Sequence, residues 1–158
     1  MRNLFATSLH EQMETNKDIF CLTGGVGYGV LDSICKDFPD RVIDCEASEA
    51  AMVNIAIGLA LSGKIPFVYA ITPHLYYAFS GIRNYVDYEK IPVKIVGVGR
   101  DKDYGALGHS HWAGDDRSIF GLFSNIVSLW PETKEKIPDI VRRMVEEDTP
   151  FYLNLKRS

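Results

Sequence analysis

The sequence predicts an α/β protein of three layers, α/β/α, on a mostly parallel sheet of about six strands. Three observations predict it. Short apolar runs alternate with helical periodicity along the chain. Those runs are continuous, as in strands buried on both faces. The stretch from Ser48 to Gly63 reads as a helix in which only Glu49 and Asn54 carry polar side chains between Glu49 and Leu61. A helix apolar nearly all round is expected to be buried.

The elements follow in order. Leu4, Phe5, Leu9 and Met13 recur at helical spacing and open the chain with an amphipathic helix. Ile19-Phe20-Cys21-Leu22 is a buried strand, followed by the glycine-rich turn Gly24-Gly25-Val26-Gly27-Tyr28-Gly29. Val30, Leu31 and Ile34 mark a helix that Pro39 stops, and Val42-Ile43 is a brief second strand. The central helix follows, with Ser48 as N-cap and Gly63 just past its end. Phe67 to Ile71 is a third strand, entered through Pro66, and Leu75 to about Tyr88 reads as a helix. Val93 to Val98 is a fourth strand, entered through Pro92. A long loop then runs from Gly99 to Gly114, and loops of this length in compact domains are usually functional. Asp115-Asp116 begins a short helix, Ile126-Val127 is a fifth strand, and Ile137 to Val145 is the last helix, with Pro138 near its start. Phe151-Tyr152-Leu153 is the sixth strand.

Composition excludes several classes. The chain has 158 residues, 46% hydrophobic and 24% charged, which is ordinary for one globular domain. A net charge of −4 gives no basic footprint for nucleic acid. No apolar run approaches membrane-spanning length. Glu11 and Glu14 near the N-terminus argue against a signal peptide. Cys21, Cys35 and Cys45 are odd in number and lack metal-type spacing, so reduced thiols in the cytoplasm are expected.

In a parallel sheet, ligands bind outside the carboxyl ends of the strands. The glycine turn, Glu49, the segment after Ile71 and the loop after Val98 all follow strands, so they gather at that edge. Glu49 has two readings. One is a solvated first-turn acid that favours the helix dipole. The other is a partly buried carboxyl able to share a proton with a ligand. The glycine turn fits a dinucleotide site poorly, because its third glycine would be Val30, and it reads more simply as a close backbone approach. His109 and His111, with Asp115 and Asp116, suggest either a metal site or polar contact with a small ligand. Histidines two apart on extended chain point to opposite sides, which disfavours one shared metal. Arg100 is either a grip for a phosphate or carboxylate or a solvated surface residue. His74, Tyr76, Tyr77 and Phe79 either pack the core or wall a flat heterocycle.

The order of the pieces adds a resemblance. Phe38-Pro39-Asp40-Arg41, then Glu49-Ala50-Ala51-Met52-Val53, Ala56, Gly58-Leu59-Ala60, Gly63 and Pro66-Phe67-Val68 resemble the pyrimidine-binding domain of transketolases. The match is similar also to deoxyxylulose-phosphate synthase and to the beta subunit of the first component of pyruvate dehydrogenase. Gly108-His109-Ser110-His111 with Asp115, and the closing Pro150-Phe151-Tyr152, resemble later family segments, so the likeness covers the whole chain, 1–158.

The resemblance implies a thiamine diphosphate-binding fold and a single pyrimidine-binding domain of a split thiamine-dependent transferase. Glu49 would hydrogen-bond the cofactor aminopyrimidine and activate it for transfer of a ketol or acyl unit. Ile71, His74 and Tyr77 fall around that ring. His111 would contact a ketose, sugar phosphate or keto acid, with His109 and Arg100 nearby. No glycine-aspartate-glycine run for cofactor diphosphate occurs here, so Mg²⁺ would be bound mainly by a diphosphate-domain partner chain. Self-association as a dimer, within a heterotetramer, is expected too. The chain departs from the family at Gly25, where an aspartate is common, at Ala51, where an asparagine is common, and at a ring-stacking aromatic, near Ile71 and His74. Gly25 and Ala51 support a different reading, a non-catalytic binding or scaffold module that kept the fold.

Overall fold

In the computed structural model, which describes residues 1–157, six strands form one fully parallel sheet in the order β2-β1-β3-β4-β6-β5. They are β1 (Ile19–Thr23), β2 (Val42–Asp44), β3 (Ile65–Ile71), β4 (Lys94–Val98), β5 (Val127–Leu129) and β6 (Phe151–Leu155). The register aligns Cys21 with Val42 and Phe67, Phe67 with Lys94, and Lys94 with Phe151. Pro66 stands second in central β3, opposite Phe20. It cannot donate to the ladder, which explains its place at the very start of the strand.

The side chains of β3 show why both faces are covered. Phe67, Tyr69 and Ile71 enter one core with α1 (Arg2–Thr15) and α7 (Ile137–Glu146). Phe5, Leu9 and Met13 of α1 meet Val141 and Met144 of α7 there. Ile34 of the short α2 (Asp32–Asp37) joins the same layer. Val68 and Ala70 point to the opposite core, with Met52, Val53, Ala56 and Ile57 of α3 (Glu49–Leu61). Period-two alternation in one strand thus feeds two helical layers.

The stretch after β3 is helical but broken. It comprises α4 (Thr72–Leu75), a 3₁₀ turn, α5 (Phe79–Gly81) and a π-helical segment Ile82–Tyr88. It begins at Thr72 rather than the expected Leu75, because Pro73 sits in the first turn, where a missing N–H costs nothing. Leu75, Ala78, Ile82 and Val86 face the second core. The long loop holds two 3₁₀ turns, Gly105–Leu107 and His109–His111, before α6 (Asp116–Phe120).

One expectation about α3 needs correction. Its inner face is buried, but Ala50, Ala51, Ile55 and Gly58 are exposed, and Leu61 is 72% exposed. Hydropathy shows that the outer face avoids water, not that this chain covers it. Among the described residues no helix is long and apolar enough to cross a membrane.

Candidate active site

The carboxyl ends of β2, β3 and β4 open into a cleft of about 660 Å³. Ala47, Ser48, Glu49 and Ala50 form its floor at the start of α3. Pro73, His74, Tyr76 and Tyr77 form one wall, and His109, Ser110, Trp112 and Asp115 form the other. Three strand-following segments therefore converge as the parallel topology requires.

Glu49 is 6% exposed, so the solvated-acid reading is overturned. Burial follows from its place on the inner face of α3, one turn before Met52 and Val53. Ser48 bounds the helix but makes no side-chain cap bond. The Glu49 carboxyl lies against the glycine turn: a Cβ on Gly24 would stand 3.3 Å from Oε1 and 3.2 Å from the Glu46 carbonyl oxygen. The glycine turn thus does what the close-approach reading expects, and Gly25 and Gly27 take positive φ to do it. Asp44 Oδ1 fastens the turn by accepting from the N–H groups of Gly25 and Glu46.

His74 Nδ1 stands 3.4 Å from Glu49 Oε1. The His74 ring in turn meets the edge of His111 at 5.0 Å, and His111 Nδ1 pairs with Ser110 Oγ at 2.9 Å. His74 therefore contacts both Glu49 and His111. Tyr77, 80% exposed, offers a free ring at the cleft wall. Tyr76 donates its hydroxyl to Asp115 Oδ1 at 2.8 Å and ties the two walls together. Burial, then that bond to the carboxylate, pushes the Tyr76 phenol well above its usual range. His109 lines the cleft and packs edge-on to Trp112. Among the described residues no three His, Cys, Asp or Glu side chains are grouped to hold a metal.

Three candidates stand outside the cleft lining. His111 lies beside it, edge-on to the His74 and Tyr104 rings. Ile71 is buried in the core beside α1 and does not line the cleft. Arg100 is neither a surface residue nor a free anion grip. Its guanidinium is buried and donates to Asn154 Oδ1 at 3.0 Å, to the Pro131 carbonyl at 2.8 Å and to the Asn154 carbonyl. With those donors engaged, it acts as a strut between the end of β4 and β6.

Sequence reasoning missed a buried polar hub behind the cleft. Asp116 Oδ2 accepts from Trp130 Nε1 at 2.7 Å, Tyr152 Oη at 2.8 Å and Asn154 Nδ2 at 2.6 Å. Thr72, at the start of α4, accepts from Asn154 at 3.3 Å. A Cβ on Gly97 would collide with Thr72 Oγ1 and come within 2.9 Å of Tyr152 Oη, so only glycine fits there. The Tyr152 phenol is pushed up, first by burial and then by the Asp116 charge. The hub joins the roots of both cleft walls, α4 and α6.

The residues fit an aminopyrimidine: a cleft between walls that carry aromatic rings, with a buried carboxyl at its base and no Cβ on Gly24 to obstruct that carboxyl.

Comparison with known proteins gives the same direction. The family model described as transketolase, pyrimidine binding domain, matches residues 1–158. The chain is 30% identical over 161 residues to one of the subunits of the apulose-4-phosphate transketolase of Phocaeicola vulgatus, covering 99% of this chain and 51% of that protein. It is 28% identical over 155 residues to the 1-deoxy-D-xylulose-5-phosphate synthase of Dehalococcoides mccartyi, covering 98% of this chain and 24% of that one. A solved structure described as split gene transketolase, inactive beta4 tetramer, superposes with a TM-score of 0.86 at 28% identity, covering 99% of this chain and 51% of its own. The chain thus spans about half the length of these relatives or less.

Proposed function

Because this chain belongs to the transketolase pyrimidine-binding domain family, we propose that it is one subunit of a split, thiamine diphosphate-dependent transketolase-like enzyme. The observation that carries the reading is Glu49: a buried carboxyl at the floor of an aromatic-walled cleft. Glu49 would contact the aminopyrimidine, and Tyr77 and His74 would flank its ring. His109, in the cleft wall, and His111, against the His74 ring, would meet a small ketose, sugar phosphate or keto acid. When bound, the cofactor supplies the carbon nucleophile that accepts and passes on a ketol or acyl unit. Glu49 would hold or yield a proton at the ring.

The cofactor diphosphate and its Mg²⁺ would be held mainly by a diphosphate-domain partner. The exposed outer face of α3, with Ala51, Ile55, Gly58 and Leu61, supports a covering subunit, and self-association of this chain is part of the same reading. The three free thiols agree with a cytoplasmic location. Reconstitution tests the proposal. This chain is mixed with a diphosphate-domain chain, thiamine diphosphate and Mg²⁺, and ketol transfer is assayed against each chain alone. Turnover only in the mixture supports the reading. Failure of the mixture to bind cofactor refutes it.

A further inference from the structure

Glu49 has one charge partner within the chain among the described residues, and it is His74. No hydrogen bond from backbone or side chain reaches the Glu49 carboxyl among the described residues, and Gly24 leaves its flank bare. The groups that share the cleft with His74 are Glu49 from α3, His109 from the turn after β4, and the bonded pair Tyr76 and Asp115, while His111 packs against the His74 ring without lining the cleft. Glu49 and His111 both meet the His74 ring: 3.4 Å from Nδ1 to the carboxyl and 5.0 Å between ring centres. An acid that changes protonation while a ligand sits over it needs a neighbouring group to exchange its proton with. Imidazole suits that task, because one nitrogen can receive a proton while the other releases one.

We propose that His74 is the proton partner of Glu49, relaying protons between the Glu49 carboxyl and solvent. The inference rests on the reading of Glu49 as the group that meets the aminopyrimidine. In one direction the Glu49 carboxyl gives its proton to His74 Nδ1, leaving a carboxylate beside an imidazolium. The imidazolium then releases the proton on Nε2 to water, which the partly exposed His74 side chain meets. The reverse sequence reprotonates Glu49, so no other reactant is consumed. The long Nδ1–Oε1 distance fits a pair that tightens when a ligand closes the cleft. His74 acts through Glu49 and not on the substrate.

The first test uses the chain alone. In histidine ¹⁵N spectra, His74 is expected to carry its proton on Nδ1, toward Glu49. Glu49→Gln should shift the His74 nitrogens and leave those of His10, on α1, unchanged. His74 nitrogens indifferent to Glu49→Gln would overturn the proposal. The second test uses the reconstituted complex with thiamine diphosphate and Mg²⁺. His74→Ala should slow hydrogen–deuterium exchange at the thiazolium carbon by about tenfold or more, a modest share of the usual general acid–base effect. Added imidazole buffer should restore the rate in proportion to its concentration. His74→Asn can still bond to Glu49 but cannot relay a proton, so it should be as slow as His74→Ala. Wild-type exchange in His74→Asn, or no rescue by imidazole, would show that His74 only positions Glu49 and would overturn the relay. If Glu49→Gln itself leaves exchange unchanged, the reading of Glu49 fails first, and the two failures are told apart.

Discussion

Lys94 makes a sharp test of how this fold bears a buried charge. It lies in central β4 and is 2% exposed. Its ammonium donates to the carbonyls of Glu147 at 2.7 Å and Thr149 at 2.6 Å, just past the end of α7, and sits over the Phe151 ring. Burial lowers its pKa from 10.5 to about 8, against a smaller opposing pull from Asp148 and Glu147. Below pH 8 both folded and unfolded chains hold the proton, and the full cost of burial is present. Between pH 8 and 10.5 the native chain has released the proton and the unfolded chain has not, so rising pH favours folding. From pH 7 to 9.5 that gain is about 2 kcal/mol at this one site. Other groups titrate in the same range, so the quantity to measure is a difference. Urea unfolding of wild type and Lys94→Met at both pH values gives it. The stability difference should move toward wild type by about 2 kcal/mol. A pH-independent difference, or one that moves toward Lys94→Met, refutes the reasoning.

Other outcomes follow from the same geometry. Asp116→Ala strips a shared acceptor from Trp130, Tyr152 and Asn154. It should cost roughly 3 kcal/mol or more, read by denaturant unfolding, and a loss below about 1 kcal/mol would discount the hub. Cys35 and Cys45 should react with a thiol reagent at pH 8 in the folded chain. Buried Cys21, whose thiol is pushed up to about 12, should react only on unfolding, and three equally fast thiols would contradict that. Leu61→Glu, on the exposed face of α3, should lower the sedimentation coefficient of the assembled protein while leaving the folded chain's far-ultraviolet spectrum intact. An unchanged assembly would mean that this face stays uncovered.

Much of the fold was legible because periodicity reports burial. Every predicted strand is present, and the two faces of β3 explain why its run is apolar throughout. Strand β6 runs two residues beyond the expected Leu153, since Asn154 interrupts the apolar pattern yet points into the hub. A polar residue between Leu153 and Leu155 was the one available signal, because a buried amide needs partners. The partners themselves, Thr72, Arg100 and Asp116, are too far apart in sequence for spacing to join them. Arg100 misled for the same reason: its glycine- and aspartate-rich surroundings read as solvent, while its acceptors lie on β6 and at Pro131. In the candidate site, Glu49, Tyr77, His74 and His109 line one cleft. Their convergence was legible from strand order, since each follows a parallel strand. The pairing of His74 with Glu49 was not, because it depends on where α4 starts, and Pro73 set that start three residues early.

The central claim is that the buried Glu49 carboxyl activates a bound aminopyrimidine. Exchange of the thiazolium carbon proton for deuterium, followed in the reconstituted complex, tests it most directly. Glutamine is nearly isosteric with glutamate, so Glu49→Gln should fold normally and bind cofactor with little change. Exchange should nevertheless fall by about two orders of magnitude, the usual scale for a general acid–base. His111→Ala should leave exchange near normal and act on substrate instead. Unchanged exchange in Glu49→Gln would make the carboxyl only a buried charge at a helix terminus, and would contradict the account.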